Sequence, residues 1–152
     1  MRDLQEILVD PDYAGLRPAP SATELSTVER VFGRQLPKNY VHFLSVCNGG
    51  HTELDTVIAQ SGEWSIDHFL AVTDDQDYEE SVVSNLELWR DELGNSALPI
   101  AYDGGSNPFF LDFASNPPSV WIYLRDEGGI RSKVSNSLEE LIDKLQRNPN
   151  NV

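Results

Sequence analysis

At 152 residues, with 39% hydrophobic and 24% charged side chains, the chain has the size and make-up of one globular domain, and no run approaches the roughly 18 apolar residues of a membrane span. A balance of 25 acidic against 11 basic residues gives a formal net charge of −14, which disfavours nucleic acid and anionic lipid as direct partners and favours basic proteins or metal ions. Cys47 is the only cysteine, which excludes an intrachain disulfide and a cysteine-built metal site.

The amino terminus, MRDLQEILVDPDY, lacks the apolar core and small-residue cleavage site of a secretory signal, so the protein is expected in the cytoplasm. No linker, repeat or low-complexity tract follows, and residues 1–152 read as a single domain. The proline-rich piece from Gly15 to Glu24 reads as a connector into a first helix. Ser21 and Glu24 have the spacing of a capping box, and Leu25, Val28 and Phe32 recur every three or four residues, giving one apolar face. Gly33 and Pro37 mark its end.

The stretch LPKNYVHFLSVCNGG, Leu36 to Gly50, predicts a second helix of about three turns. Pro37 is expected in its first turn, where a missing N–H does no harm. Tyr40, Phe43, Leu44 and Cys47 form the buried face, which makes Cys47 a small core residue rather than a reactive thiol. Asn48, Gly49 and Gly50 predict a left-handed stop. A polar region follows, and then EWSIDHFLAV, Glu63 to Val72, reads as one strand or two short ones.

Over TDDQDYEESVVSNLELWRDELGN, the residues Tyr78, Val82, Leu86, Trp89 and Leu93 are spaced as one face of a helix of about four to five turns, ended by Gly94 and Asn95. The period then changes. ALPIAY, PFFLDF, SVWIYL and GIRSKV are rich in β-branched and aromatic residues and separated by turns too short for parallel crossovers, so four neighbouring antiparallel strands are expected. Ser137 and Glu140 repeat the capping-box spacing before a closing helix on Leu138, Leu141, Ile142 and Leu145. The fold class is α+β: a largely antiparallel sheet of about five to six strands, covered by helices.

Catalytic patterns are fragmentary. His42, His51 and His68 do not have metal-ligand spacing. Asp74, Asp75, Asp77, Glu79 and Glu80 crowd the expected start of the long helix, where the helix dipole favours carboxylates; the calcium-loop pattern is missing. Glu80, Ser84, Glu87 and Asp91 predict an acidic outer face along that helix, interrupted by Arg90, which is either simply solvated or a docking surface for a basic partner. DGGSNPFFLD, Asp103 to Asp112, lacks the phosphate-loop pattern and leads into a strand rather than a helix. It reads as a strand-joining turn. No GxSxG elbow occurs, and no acidic pair stands out for glycosidase chemistry. No catalytic residue, metal ligand or cofactor is assigned.

The order of these motifs resembles the SUKH superfamily, which includes fungal Smi/Knr-type regulators and bacterial proteins that neutralise polymorphic toxins. The resemblance rests on Leu36, Pro37, Tyr40, Phe43, Leu44, Asn48, Gly49 and Gly50 in the helix-to-glycine stretch, and on Asp103, Gly104, Gly105, Asn107 and Asp112 in the turn and the aromatic strand. It covers about residues Ser21 to Gln146. Ser106 departs from it by replacing a glycine, and the acidic helix matches no motif of the family. The resemblance implies an α+β domain without catalytic residues that binds another protein. For a bacterial member, that partner is a toxin domain, often a nuclease, whose basic groove an acidic protein is steered towards. On this reading Asp74, Asp75, Asp77, Glu80, Glu87 and Asp91 carry part of the contact. A regulatory protein-interaction scaffold of the Smi/Knr type and, more remotely, a metal-assisted hydrolase are the alternatives.

Overall fold

The computed structural model describes residues 1–8 and 15–150; residues 9–14, of which 9–13 belong to the stretch read above for a secretion signal, and residues 151–152 lie outside the described residues. Among the described residues the architecture is α+β. Helices α1 (Ala22–Phe32), α2 (Lys38–Val46), α3 (Val82–Leu93) and α4 (Leu138–Lys144) surround two antiparallel sheets. The smaller is a hairpin of β1 (Thr56–Ala59) and β2 (Gly62–Ser65). The larger contains β3 (His68–Phe69), β4 (Ala97–Tyr102), β5 (Pro108–Asp112), β6 (Ser119–Leu124) and β7 (Ile130–Ser135), in that spatial order. None of the helices is long and apolar enough to cross a membrane.

The larger sheet is a meander, as the short turns require. Every residue of β4 is buried, as are the first four of β5. Because successive strand residues point to opposite faces, these central strands are covered on both sides. One face carries Tyr102, Phe110 and Tyr123 towards α3: Trp89 of that helix donates to the Tyr102 hydroxyl and meets the Tyr123 ring edge-on at 5.7 Å. Phe109, Leu111 and Ile122, on the other face, are also fully buried. There α4 packs on β6 and β7, and α2 packs on α4.

Local signals explain where the elements begin and end. The capping box of α1 is complete, with the Ser21 hydroxyl accepting from the Glu24 N–H at 3.1 Å and the Glu24 carboxylate accepting from the Ser21 N–H at 2.9 Å. At α4 the Ser137 hydroxyl accepts from the Glu140 N–H, but the Glu140 carboxylate reaches the N–H of Asn136 instead, one residue before the cap. Pro37 precedes α2 as its cap rather than lying in its first turn, because it is extended (ψ 144°). The end of α2 also differs from expectation. Cys47 caps it at φ −122°, and Asn48 continues into a bridge with Arg17; the left-handed residues are Gly49 and Gly50, beyond the helix. Burial pushes the Cys47 thiol up to about 12, so it is an inert core group.

Two further corrections concern the middle of the chain. The region read only as polar contains β1, paired with β2 across the two-residue turn Gln60–Ser61. The α3 helix has 12 residues and starts at Val82, so Tyr78, Glu79 and Glu80 precede it. Ser81 is the reason. It is extended, its backbone runs beside Ala71 as an isolated bridge, and its hydroxyl accepts from the Ser84 N–H. A residue paired in that way cannot also continue a helix.

The Asn48-Gly49-Gly50 triplet joins three segments. Asn48 is buried, and its side-chain amide donates to the carbonyls of Pro18 (2.8 Å) and Val72 (2.9 Å) while its oxygen accepts from the Val72 N–H (2.8 Å). Gly49 lies against Ala71, where an added Cβ would come within 3.0 Å of the alanine methyl, and its φ of +84° independently favours glycine. Replacing Asn48 by alanine leaves both backbone groups of Val72 unpaired in the core. The Asn48→Ala variant should lose about 2–4 kcal/mol in urea unfolding, with faster hydrogen exchange at Val72 and through residues 73–80.

The helix caps confer a pH dependence of known sign. The Glu24 carboxyl is held below its ordinary value, chiefly by the Ser21 N–H, and that of Glu140 chiefly by its hydrogen bond from Lys144. A carboxyl lowered on folding stabilises above its unfolded pKa, and that contribution disappears as pH falls through the folded value. The urea midpoint should therefore fall between about pH 5 and pH 3, and fall less steeply when Glu24→Gln and Glu140→Gln are combined.

Candidate functional site

The acidic residues fall on a loop and a helix face. Residues 72–80 form a loop closed at its base, where the Ala71 N–H donates to the Glu80 carbonyl (2.9 Å) and the Val82 N–H to the Ala71 carbonyl (2.8 Å). Compact loops with adjacent ends are frequent carriers of function. This one is held from several sides. Asn48 fixes Val72, the Glu24 carboxylate accepts from the Asp74 N–H, and the Asp75 carboxylate accepts from the Asp77 N–H. Arg17 reaches over the loop, 3.6 Å from Asp75 and 4.2 Å above the centre of the Tyr78 ring. Tyr78, expected on the buried face of the helix, is half-buried under this guanidinium instead.

Asp74, Asp75, Asp77 and Glu79 are exposed, and Glu80 is half-buried. None of them belongs to α3, whose first turn holds no acidic residue, so the helix dipole does not account for their placement. Glu87 and Asp91 are exposed on α3 and form no ion pair among the described residues. The structure thus divides the six predicted contact residues between the loop (Asp74, Asp75, Asp77, Glu80) and the helix (Glu87, Asp91). The expected continuous acidic stripe is broken by Leu88, which is 66% exposed. Arg90 does not interrupt the outer face. It turns inward and donates to the Val31 carbonyl at 2.7 Å, cross-linking α1 and α3.

Between loop and helix lies a groove of about 500 Å³ that sequence reasoning did not find. Glu79 and Glu80 line one part of it, Leu88 and Trp89 the helix side, Tyr102 the sheet side, and Arg125 closes it from the short 3₁₀ helix Arg125–Glu127. Trp89, Tyr102 and Asn85 are linked by a buried chain in which the indole N–H donates to the phenol oxygen and the phenol to the Asn85 side-chain oxygen, each at 2.5 Å. Asn85 completes it by donating to the Glu79 and Ser81 carbonyls. Burial raises the Tyr102 pKa, which keeps the phenol a donor. Exposed Leu88 on the polar face was the one available signal in the sequence; Tyr102 and Arg125 approach it only through the sheet.

Two of the three histidines approach each other. His42 is exposed. His51 and His68 lie with ring centres 6.2 Å apart, and His68 sits between Asp67 (2.8 Å) and Glu80, its Nε2 beside the Glu80 carboxylate without hydrogen-bond alignment. Among the described residues, no group of three or more His, Cys, Asp or Glu side chains is placed to hold a metal ion.

The motif residues are structural. Leu36, Tyr40, Phe43 and Leu44 are buried, Pro37 caps α2, and Asn48, Gly49 and Gly50 make the junction described above. In the turn, the Asp103 carboxylate accepts from the N–H groups of Gly105 and Asn107 and from the Asn107 amide. Asn107 in turn accepts from the Arg125 N–H at 3.0 Å, so the motif also places Arg125. Neither Gly104 nor Gly105 has positive φ. The left-handed residue is Ser106 at φ +63°, the position at which the resemblance led to glycine being expected. Asp112 ends β5 and accepts from the Ala114 N–H, starting the turn to β6.

No curated protein matches this chain. The family model described as SMI1 / KNR4 family (SUKH-1) matches residues 19–144, from the connector before α1 to the last residue of α4. That span holds α1 to α4, all seven strands, the Asn-Gly-Gly junction and the Asp103 turn. The chain therefore belongs to the SMI1 / KNR4 family, SUKH-1, within the SUKH superfamily.

Proposed function

We propose that this protein is a non-enzymatic binding protein of the immunity type, which holds and neutralises a cognate toxin domain in the cytoplasm. The observation that carries the reading is the acidic loop, presented outward and anchored at its base by Asn48, a residue of the family motif. A partner surface that is basic, as in a nuclease substrate groove, would be steered to it by the −14 net charge and would find carboxylates already positioned. Asp74, Asp75, Asp77 and Glu80 would contribute from the loop and Glu87 and Asp91 from α3. Inhibition then follows from occupying the surface that the toxin's own polyanionic substrate needs, without a chemical step or cofactor.

Co-expression with the toxin domain encoded next to its gene tests the proposal: growth should be rescued and a complex isolated. Recovery of a host partner with no protection would favour a regulatory scaffold instead. For the contact itself, we expect the combined variant Asp75→Asn, Asp77→Asn, Glu80→Gln, Glu87→Gln and Asp91→Asn to associate with the toxin about 10-fold or more slowly at low salt, and with a flatter salt dependence. Unchanged association kinetics would remove the acidic surface from the mechanism.

A further inference from the structure

We propose that the groove between α3, β4 and the Arg125–Glu127 helix is the anchoring pocket for a partner protein, and that it takes an extended segment in which a lysine or arginine stands beside an aliphatic residue. This rests on the binding reading above and names the part of the surface where the contact is made.

Three observations point to that occupant. The first is apolar surface where a solvated acidic face was expected. Leu88 is 66% exposed on the rim and continues into the groove with Trp89 and Tyr102. Exposed Ile58 and Ile130, by contrast, do not line this groove: Ile58 stands opposite Glu63 on the β1–β2 hairpin, and Ile130 opposite Leu124 at the start of β7.

The second is rigidity. The Trp89–Tyr102–Asn85 chain ends on the carbonyls of Glu79 and Ser81, so the aromatic floor and the acidic loop are one hydrogen-bonded unit. A ligand pays little ordering entropy on such a floor, and buried tryptophan and tyrosine are the side chains on which binding energy concentrates.

The third is the order of charge. Glu79 and Glu80 line one part of the groove, while Arg125 stands with its guanidinium 6.0 Å above the Trp89 ring and in no ion pair among the described residues. Glu80 lies beside His68 and Glu79 is in no ion pair among the described residues, so a partner cation is drawn to the Glu79 end and repelled by Arg125, which favours one register of the segment. Its aliphatic neighbour then falls on Leu88, Trp89 and Tyr102.

Titration of the ¹⁵N-labelled protein with blocked synthetic peptides tests this without the natural partner. A peptide with lysines flanking leucine should shift the Trp89 indole N–H and the amides of Glu79, Leu88 and Arg125. Glycine in place of the leucine, or Leu88→Ala in the protein, should each weaken binding by about 10-fold. Glutamates in place of the lysines should abolish it. Shifts confined to residues 73–78, equal binding of the glycine peptide, or no shift at millimolar peptide would overturn the proposal. In the co-expression assay, Leu88→Glu should remove protection while its spectrum remains folded, and protection retained by this variant would overturn the groove but leave the immunity reading intact. Failure of the wild-type protein to protect would overturn the immunity reading, with the peptide titration still deciding the groove.

Discussion

The side-chain amide of Asn48 is the interaction on which the arrangement of this domain depends. It acts as a backbone surrogate, pairing with both the N–H and the carbonyl of Val72 and also with the Pro18 carbonyl, at a point where three segments meet and no regular strand could serve all of them. Its position is made possible by Gly49, which lets the chain pass against Ala71. Because Ala71 in turn pairs with Ser81, the same junction sets the start of α3 and closes the acidic loop. A motif of buried residues thus determines where the acidic loop is displayed.

Electrostatics follows from this architecture. Several of the 11 basic residues are committed to holding elements together: Arg90 bonds the Val31 carbonyl, Arg131 the carbonyls that end α3, and Arg2 those that end α4. Arginine suits this role because it stays charged and its planar fork meets several carbonyls at once. The carboxylates outnumber what remains. Arg17 offsets Asp75 and His68 lies beside Glu80, whereas Asp74, Asp77 and Glu79 on the loop and Glu87 and Asp91 on α3 are exposed and in no ion pair among the described residues, so their exposure reflects where the arginines point as much as composition.

The groove depends on the chain in a different way. Trp89 comes from a helix, Tyr102 from the end of a central strand, and Arg125 from a turn held by Asn107, itself fixed by Asp103. Two family motifs far apart in the chain therefore hold the two sides of one cleft: Asn48 through the loop carrying Glu79 and Glu80, and Asp103 with Asn107 through Arg125. This gives the Asp-Gly-Gly turn a purpose beyond joining β4 to β5. The strain at Ser106 is tolerated because the surrounding hydrogen bonds determine the turn without a glycine there.

Short-range chemistry made much of the fold legible in the sequence. The Ser21–Glu24 box, the apolar periods of α1, α2 and α4, and the β-branched and aromatic runs of β4 to β7 act within a few residues of one another, and those elements are present as expected, with only the ends of α2 shifted. The acidic residues were legible as a composition. Tertiary structure decided the rest. The apolar period through Tyr78 suggested a longer α3, but pairing between Ala71 and Ser81 ended it at Val82 and turned the first carboxylates into a loop. The two short strands expected within Glu63 to Val72 are β2 and β3, but β1, and with it the hairpin, was missed because its backbone partners include Gln146, far along the chain. The groove was invisible for the same reason: it exists only where a helix, a strand end and a turn are brought together, and no local pattern encodes a distance between them.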